Sequence, residues 1–296
     1  MLKPIVVGLD GSRESTAAAH WAAREALRRG LPVRLVHAWE GLPPDGTEAD
    51  LPELRAPQYW ARRILRTTTE QLAAQQPKLY IAAEQIRRPP TQALLAETEH
   101  AELLVLGSQG FGAVSGALAG SVALAIAGRA HCPVVLVRAG IAATDERLPA
   151  HDSVPGRFRD VALAVDVSPL ADPVIEFAFQ EATLRGAPLR AVHAWHLPYT
   201  AVLPDPTHRA AVKAEAERAL TTLLRPWAEK FPEVCVQETL VEGRAAVHQL
   251  VRASRGACLL VIGRRLRRQA VGSRTGPVAH ALIHHVACPV AIVPHG

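Results

Sequence analysis

The chain repeats itself once. Asp10 and Asp166 stand 156 positions apart, and the same displacement carries Ser12 onto Ser168, Gly30 onto Gly186 and Val36-His37-Ala38-Trp39 onto Val192-His193-Ala194-Trp195. It also carries Gly107 onto Gly263, Gly120 onto Gly276 and Cys132-Pro133-Val134 onto Cys288-Pro289-Val290. One offset that aligns landmarks from end to end is not chance, and a unit this long is no solenoid repeat. The 296 residues therefore divide into two homologous domains, 1–140 and 159–296. Residues 141–158 read as a linker, with Pro149, Pro155, Gly156 and scattered charges but no sustained apolar period.

Each half alternates short apolar runs with longer helical patterns. In the first, Ile5–Leu9 is a β-branched apolar run, the mark of a buried strand. Ser12 is placed to cap the helix that follows, and Gly30 to stop it after Arg28 and Arg29. Val33–Ala38 is the second strand, and Glu40–Pro57 a variable loop. Tyr59–Gln75 is a helix, Leu79–Ala83 a strand, Thr91–Thr98 a helix and Leu103–Leu106 a strand. A helix from Ser121 to about Ala130 and a strand over Pro133–Val137 close the unit. The second half repeats the pattern, with Ser168 as cap, Pro169 at the first helical position and Gly186 as stop. Apolar strands joined through helices make an α/β fold with a parallel sheet covered on both faces.

Composition excludes several classes. Charged residues make up 21% of the chain, ordinary for a globular protein, and the net charge of +5 with sparse aromatics makes nucleic acid an improbable partner. No apolar run approaches the ~20 residues of a membrane span, and the start lacks a signal-peptide core, so a cytoplasmic protein is expected. The four cysteines form no CxxC pair, and Cys132 and Cys288 read as small buried thiols. His37 and His193 occupy equivalent strand ends, which points to a shared structural role rather than metal ligation.

Ligands of open parallel sheets bind beyond the carboxyl ends of the strands, where the strand order switches. Gly8-Leu9-Asp10, His37-Ala38 and Gly107-Ser108-Gln109-Gly110 all fall at such ends. A helix that opens at Gly120 with Ser121 and Val122 presents free N–H groups suited to phosphate. Asp10 has two readings of equal weight: it faces the ribose or metal of a nucleotide, or it ties down the following turn. The dinucleotide fingerprint fails because Gln109 stands where a glycine is needed, and neither a P-loop nor a GxSxG elbow occurs. No nucleophile sits beside a base in sequence.

Gly107-x-x-Gly110, nine residues, then Gly120-Ser121 after an apolar strand resembles the nucleotide-binding signature of ATP-binding universal stress proteins. The likeness extends over both halves. It implies two tandem five-stranded parallel-sheet domains of flavodoxin-like or Rossmann-like, adenine nucleotide alpha hydrolase-like, type. It implies ATP bound with magnesium beside Asp10, and a homodimer with an unknown protein partner. On this resemblance Gly8, Leu9, Asp10 and Ala38 line the adenosine end, and Gly107, Ser108, Gln109, Gly110, Gly120, Ser121 and Val122 line the phosphates. The expected function is a nucleotide-dependent stress-response module with little or no hydrolysis. A slow ATPase and a nucleotide-independent interaction scaffold are the alternatives.

The second copy of the loop departs from the pattern: Leu266 stands where Gly110 stood and Pro277 where Ser121 stood. Leu266 resists positive φ and is expected to bring a side chain toward the ligand, and Pro277 has no N–H for a phosphate. Arg264, Arg265, Arg267, Arg268 and Arg274 make this loop basic. A solvated loop, an altered anion site and an interface for an acidic partner all remain open. The counterpart residues of a second site are Ala164, Asp166, Ala194, Gly263, Arg264, Arg265, Gly276, Pro277 and Val278. One competent ATP site, in the first half, is the expectation.

Overall fold

The fold is described from a computed structural model. It covers residues 2–40, 52–108, 121–149, 156–197, 206–243, 246–266 and 276–296, without the side chains of 52–57, 121, 169, 246 and 277. The chain divides into two units, Met1–Ala142 and Ala143–Gly296.

The first unit runs β1 (Ile5–Gly8), α1 (Arg13–Arg29), β2 (Val33–Trp39), α2 (Pro52–Gln75), β3 (Ile81–Arg87), α3 (Pro90–Glu97), β4 (Leu103–Ser108), α4 (Ser121–Ala127) and β5 (Val134–Arg138). The strands lie parallel in the order β3-β2-β1-β4-β5. The order reverses direction between β1 and β4, so the switch in strand order falls at the ends of these strands, beyond Gly8 and Ser108. The central strand is sealed on both faces: Ile5, Val6 and Val7 are fully buried, as are Leu103, Leu104 and Val105 beside them. Each such side chain contributes on the order of 1.5–3 kcal/mol by leaving water.

Helix α1 forms where its caps require. Ser12 is the N-cap, its hydroxyl accepting from the Ser15 N–H at 3.1 Å. Gly30 closes the helix at φ 65°, a left-handed turn that costs a glycine nothing. Ala18, Ala19, Trp21, Ala22 and Ala26 bury the face against the sheet.

The second unit runs β6 (Asp160–Val165), α5 (Asp172–Arg185), β7 (Leu189–Trp195), α6 (Pro206–Lys230), β8 (Val236–Glu242), α7 (Ala246–Ala253), β9 (Ala257–Arg265), α8 (Pro277–His285) and β10 (Val290–His295). Its order, β8-β7-β6-β9-β10, is that of the first unit, and all pairs are parallel.

Three elements differ from the sequence reading. Helix α2 begins at Pro52, inside the stretch read as a variable loop; Pro52 suits a first helical position, whereas Pro57 five residues on masked the continuation. Strand β3 lies over Ile81–Arg87 rather than Leu79–Ala83, because an edge strand with exposed Glu84 and Arg87 lacks the apolar signal of a buried one. Ser168 caps a 3-10 turn over Pro169–Ala171, and α5 starts only after it. The stretch between the halves also carries order. A 3-10 turn spans Ala143–Glu146, and Arg147 bridges Phe158, with the Arg147 guanidinium 4.0 Å over the Phe158 ring.

Candidate functional site

In the first unit, Gly8, Leu9 and Asp10 follow from β1, Ala38 lies near the end of β2, and Gly107 and Ser108 end β4. Register places Gly8 beside Val36 on one side and Leu106 on the other, so these strand ends lie side by side at one edge of the sheet. Gly107 has a steric reason to be glycine. A Cβ there would lie 2.6 Å from Glu14 C and Ser15 N, the first turn of α1. Asp10 is exposed, and its Oδ1 accepts from the Ser12 N–H at 2.9 Å, the turn-tying role of the two read from sequence. Desolvation alone would raise its pKa; the hydrogen bonds from Ser12 and Ser15 outweigh it and hold the carboxyl below its ordinary value. Ser121 and Val122 begin α4. Gln109, Gly110 and Gly120 lie outside the described residues, as does the Ser121 side chain.

Two equivalent histidines brace the strand ends. His37 Nδ1 meets the Leu9 carbonyl at 2.7 Å, and His193 Nδ1 meets the Val165 carbonyl at 3.0 Å.

The second unit holds a crevice of about 1110 Å³ at the corresponding edge. Ala164, Asp166, Ala194, Gly263, Arg265, Gly276 and Val278 line it. Arg264 does not: it is buried, and desolvation lowers its pKa. Leu266, expected to turn toward a ligand, is instead half exposed and outside the lining, while its N–H donates to the His295 carbonyl at 2.7 Å. Pro277 opens α8 behind Gly276, whose φ is 74°. Arg267, Arg268 and Arg274 lie outside the described residues.

Of the lining residues, His196, His248, Arg255 and His295 are marked by no motif in the sequence, and Ser168 is marked only as a helix cap. His285 enters the crevice while its neighbour His284 is buried, as adjacent helical positions require. Among the described residues no group of three or more His, Cys, Asp or Glu is placed to hold a metal ion, and no helix is long and apolar enough to cross a membrane.

The model of the Universal stress protein family matches residues 1–138 and again 157–294. The universal stress protein Rv2005c of Mycobacterium tuberculosis is 34% identical over 295 residues, covering 97% of this chain and 96% of that protein. Rv2623 of the same species is 30% identical over 293 residues, covering 97% and 95%. A universal stress protein from Archaeoglobus fulgidus superposes with a TM-score of 0.68 over 99% of both chains at 17% identity, a likeness of fold. With both halves matched and relatives aligned along nearly their whole length, the chain belongs to the universal stress protein family, with two such domains in tandem.

Proposed function

We propose that this protein is a nucleotide-dependent regulator that binds ATP with magnesium in the crevice of its first unit and hydrolyses it little or not at all. The observation that carries the reading is the convergence of Gly8, Asp10, Ala38 and Gly107-Ser108 at the switch in strand order, in the half whose glycine motif is intact. An exposed carboxylate held ionised at Asp10 suits a hydrated magnesium ion or a ribose hydroxyl. Bound magnesium would neutralise the phosphate charge; Gly107 and Ser108 would border the phosphates, and Leu9, Asp10 and Ala38 the adenosine. A cytoplasmic homodimer is the form this reading expects.

Mass spectrometry of the chain purified under native conditions, with calorimetric titration of ATP and magnesium, tests it. Co-purified ATP and a saturable site support the reading. A chain that neither retains nor binds adenine nucleotide refutes it. Phosphate release abolished by Asp10→Asn would move the protein to the slow ATPases.

One feature favours a second role as an interaction module. Tyr59 and Trp60 stand exposed on α2 in an edge-to-face pair 5.9 Å apart, with the Arg63 guanidinium 5.3 Å over the Trp60 ring. A partner that binds with or without nucleotide, and is lost on Trp60→Ala, would establish it.

A further inference from the structure

Helices α2 and α6 hold the same place in their units, yet they meet solvent differently. Each crosses from the second strand of its unit to the edge strand, and each buries a leucine on the sheet side, Leu65 on α2 and Leu220 on α6. With Leu65 laid on Leu220, Trp60 falls on Glu215, Arg62 on Glu217 and Arg66 on Thr221.

The outer side of α6 carries charges that satisfy one another. Lys213 meets Glu217 at 3.5 Å and Arg218 meets Glu215 at 3.6 Å, the ordinary way for an outer helix to be solvated. The outer side of α2 carries Tyr59, Trp60, Arg62, Arg63 and Arg66, all exposed. Tyr59, Arg63 and Arg66 stand at i, i+4 and i+7, one line along the helix, with Trp60 and Arg62 flanking it. Glu70 is the one carboxylate among the described side chains of α2. It meets Arg66 at 3.7 Å with both side chains in solvent, a contact that contributes little. The fold does not ask for this face, because α6 fills the same place with self-paired charges.

The chemistry of the face selects its partner. Tyr, Trp and Arg are the residues that dominate the energetic centres of protein interfaces. Three guanidiniums against one carboxylate call for negative charge. The crossover from β2 brings the first turns of α2 to the carboxyl edge of the sheet, where β3 ends in Arg87 and Arg88, both exposed. Stacked nucleobases need open ring faces. Here the Arg63 guanidinium lies 5.3 Å over the Trp60 ring, and Tyr59 meets that ring edge to face. Among its described side chains α2 exposes no Leu, Ile, Val or Phe, so it lacks the apolar face that enters a bilayer. An acidic peptide segment uses the face as it stands: an apolar side chain packs on the aromatic pair, and carboxylates take the guanidinium forks.

We propose that the outer face of α2 docks an acidic segment of a partner protein, one that sets an apolar side chain between carboxylates. Tyr59 and Trp60 are the anchor, and Arg62, Arg63 and Arg66 receive the carboxylates. The proposal deepens, and rests on, the interaction-module reading above.

Fluorescence anisotropy on the full chain tests it with a labelled peptide that sets leucine between runs of glutamate, at physiological salt. The comparison probes are the same peptide with Gln for every Glu, labelled oligothymidylate, and phosphatidylserine vesicles. The acidic peptide is expected to saturate a site, and the Gln peptide to bind about tenfold or more weakly. Trp60→Glu, which installs the residue of α6, and the double variant Arg63→Gln with Arg66→Gln each weaken the acidic peptide by about tenfold or more. Glu215→Ala on α6 leaves it unchanged. The substituted side chains are exposed, and thermal unfolding like that of the wild type shows that the variants fold. An acidic peptide that does not saturate, that binds no better than its Gln form, or that ignores the α2 variants overturns the proposal. Oligothymidylate or vesicles that bind more tightly than the peptide, and are lost with Trp60→Glu, overturn the acidic partner but leave α2 an interaction face. If no probe senses Trp60→Glu, the interaction-module reading falls with the proposal.

Discussion

The imidazole of His37 reaches back across the sheet to donate from Nδ1 to the carbonyl of Leu9, 2.7 Å away. It ties the end of β2 to the residue that follows β1, at the edge where the candidate ligand site opens. His193 repeats the contact on Val165 at 3.0 Å.

Replacing His37 by Phe keeps the bulk and removes the donor. The carbonyl of buried Leu9 then loses one hydrogen bond, and stability is expected to fall by about 1 kcal/mol. Denaturant unfolding of His37→Phe and His193→Phe should show similar losses, since the two contacts are equivalent.

Gly107 and Gly263 are equivalent in sequence but not in what surrounds them. A Cβ on Gly107 meets the α1 backbone at 2.6 Å, whereas one on Gly263 meets the end of the His295 ring at 2.7 Å. Backbone yields less readily than a side chain. Gly107→Ala should therefore cost about 1–3 kcal/mol and Gly263→Ala less. Thermal unfolding of the two variants checks the order.

His295 predicts a pH dependence. Burial lowers its pKa below the ordinary 6.5, reinforced by the charges of Arg265 and Arg264 and opposed by the Leu170 backbone and by Asp166. The unfolded chain thus takes up a proton at a higher pH than the folded one. The stability held by neutral His295 is complete above pH 6.5 and is lost as pH falls through the lower folded value. His295→Ala should flatten the stability profile below pH 6.5, measured by thermal unfolding across that range.

The two units share a buried ion pair one helical turn long. Glu25 takes Arg29 Nε at 2.7 Å on α1, and Glu181 takes Arg185 at the same place on α5. Glu181 and Arg185 are almost wholly enclosed, at 0% and 1% side-chain exposure. Glu181→Ala strips a buried guanidinium of its carboxylate and is expected to cost about 3 kcal/mol or more. Chemical denaturation of the variant tests this.

Local chemistry was legible where a residue acts on its own neighbours. Ser12, Gly30 and Gly186 cap as their types require, and the buried strands announced themselves by apolar runs. Strand β3 was misplaced because its exposed residues hide the period, and the start of α2 was hidden by Pro57. The strand-end positions of the crevice were also legible, since parallel connectivity puts those ends on one edge. His248, Arg255, His285 and His295 were not, because they reach the second crevice from three elements and the turn after α7, with no motif joining them.

The sequence by itself determined that the chain is two copies of one α/β unit, and which copy keeps its glycine pattern: a repeat at one offset and a run of apolar residues are properties of order along the chain. Only the tertiary structure decided that Arg265 lies opposite His295 and pairs with Asp166, 99 positions away. That pairing follows from the register of β9 on β10 and from the adjacency of β6 and β9, which are set by packing across the sheet rather than by any local preference of the residues involved.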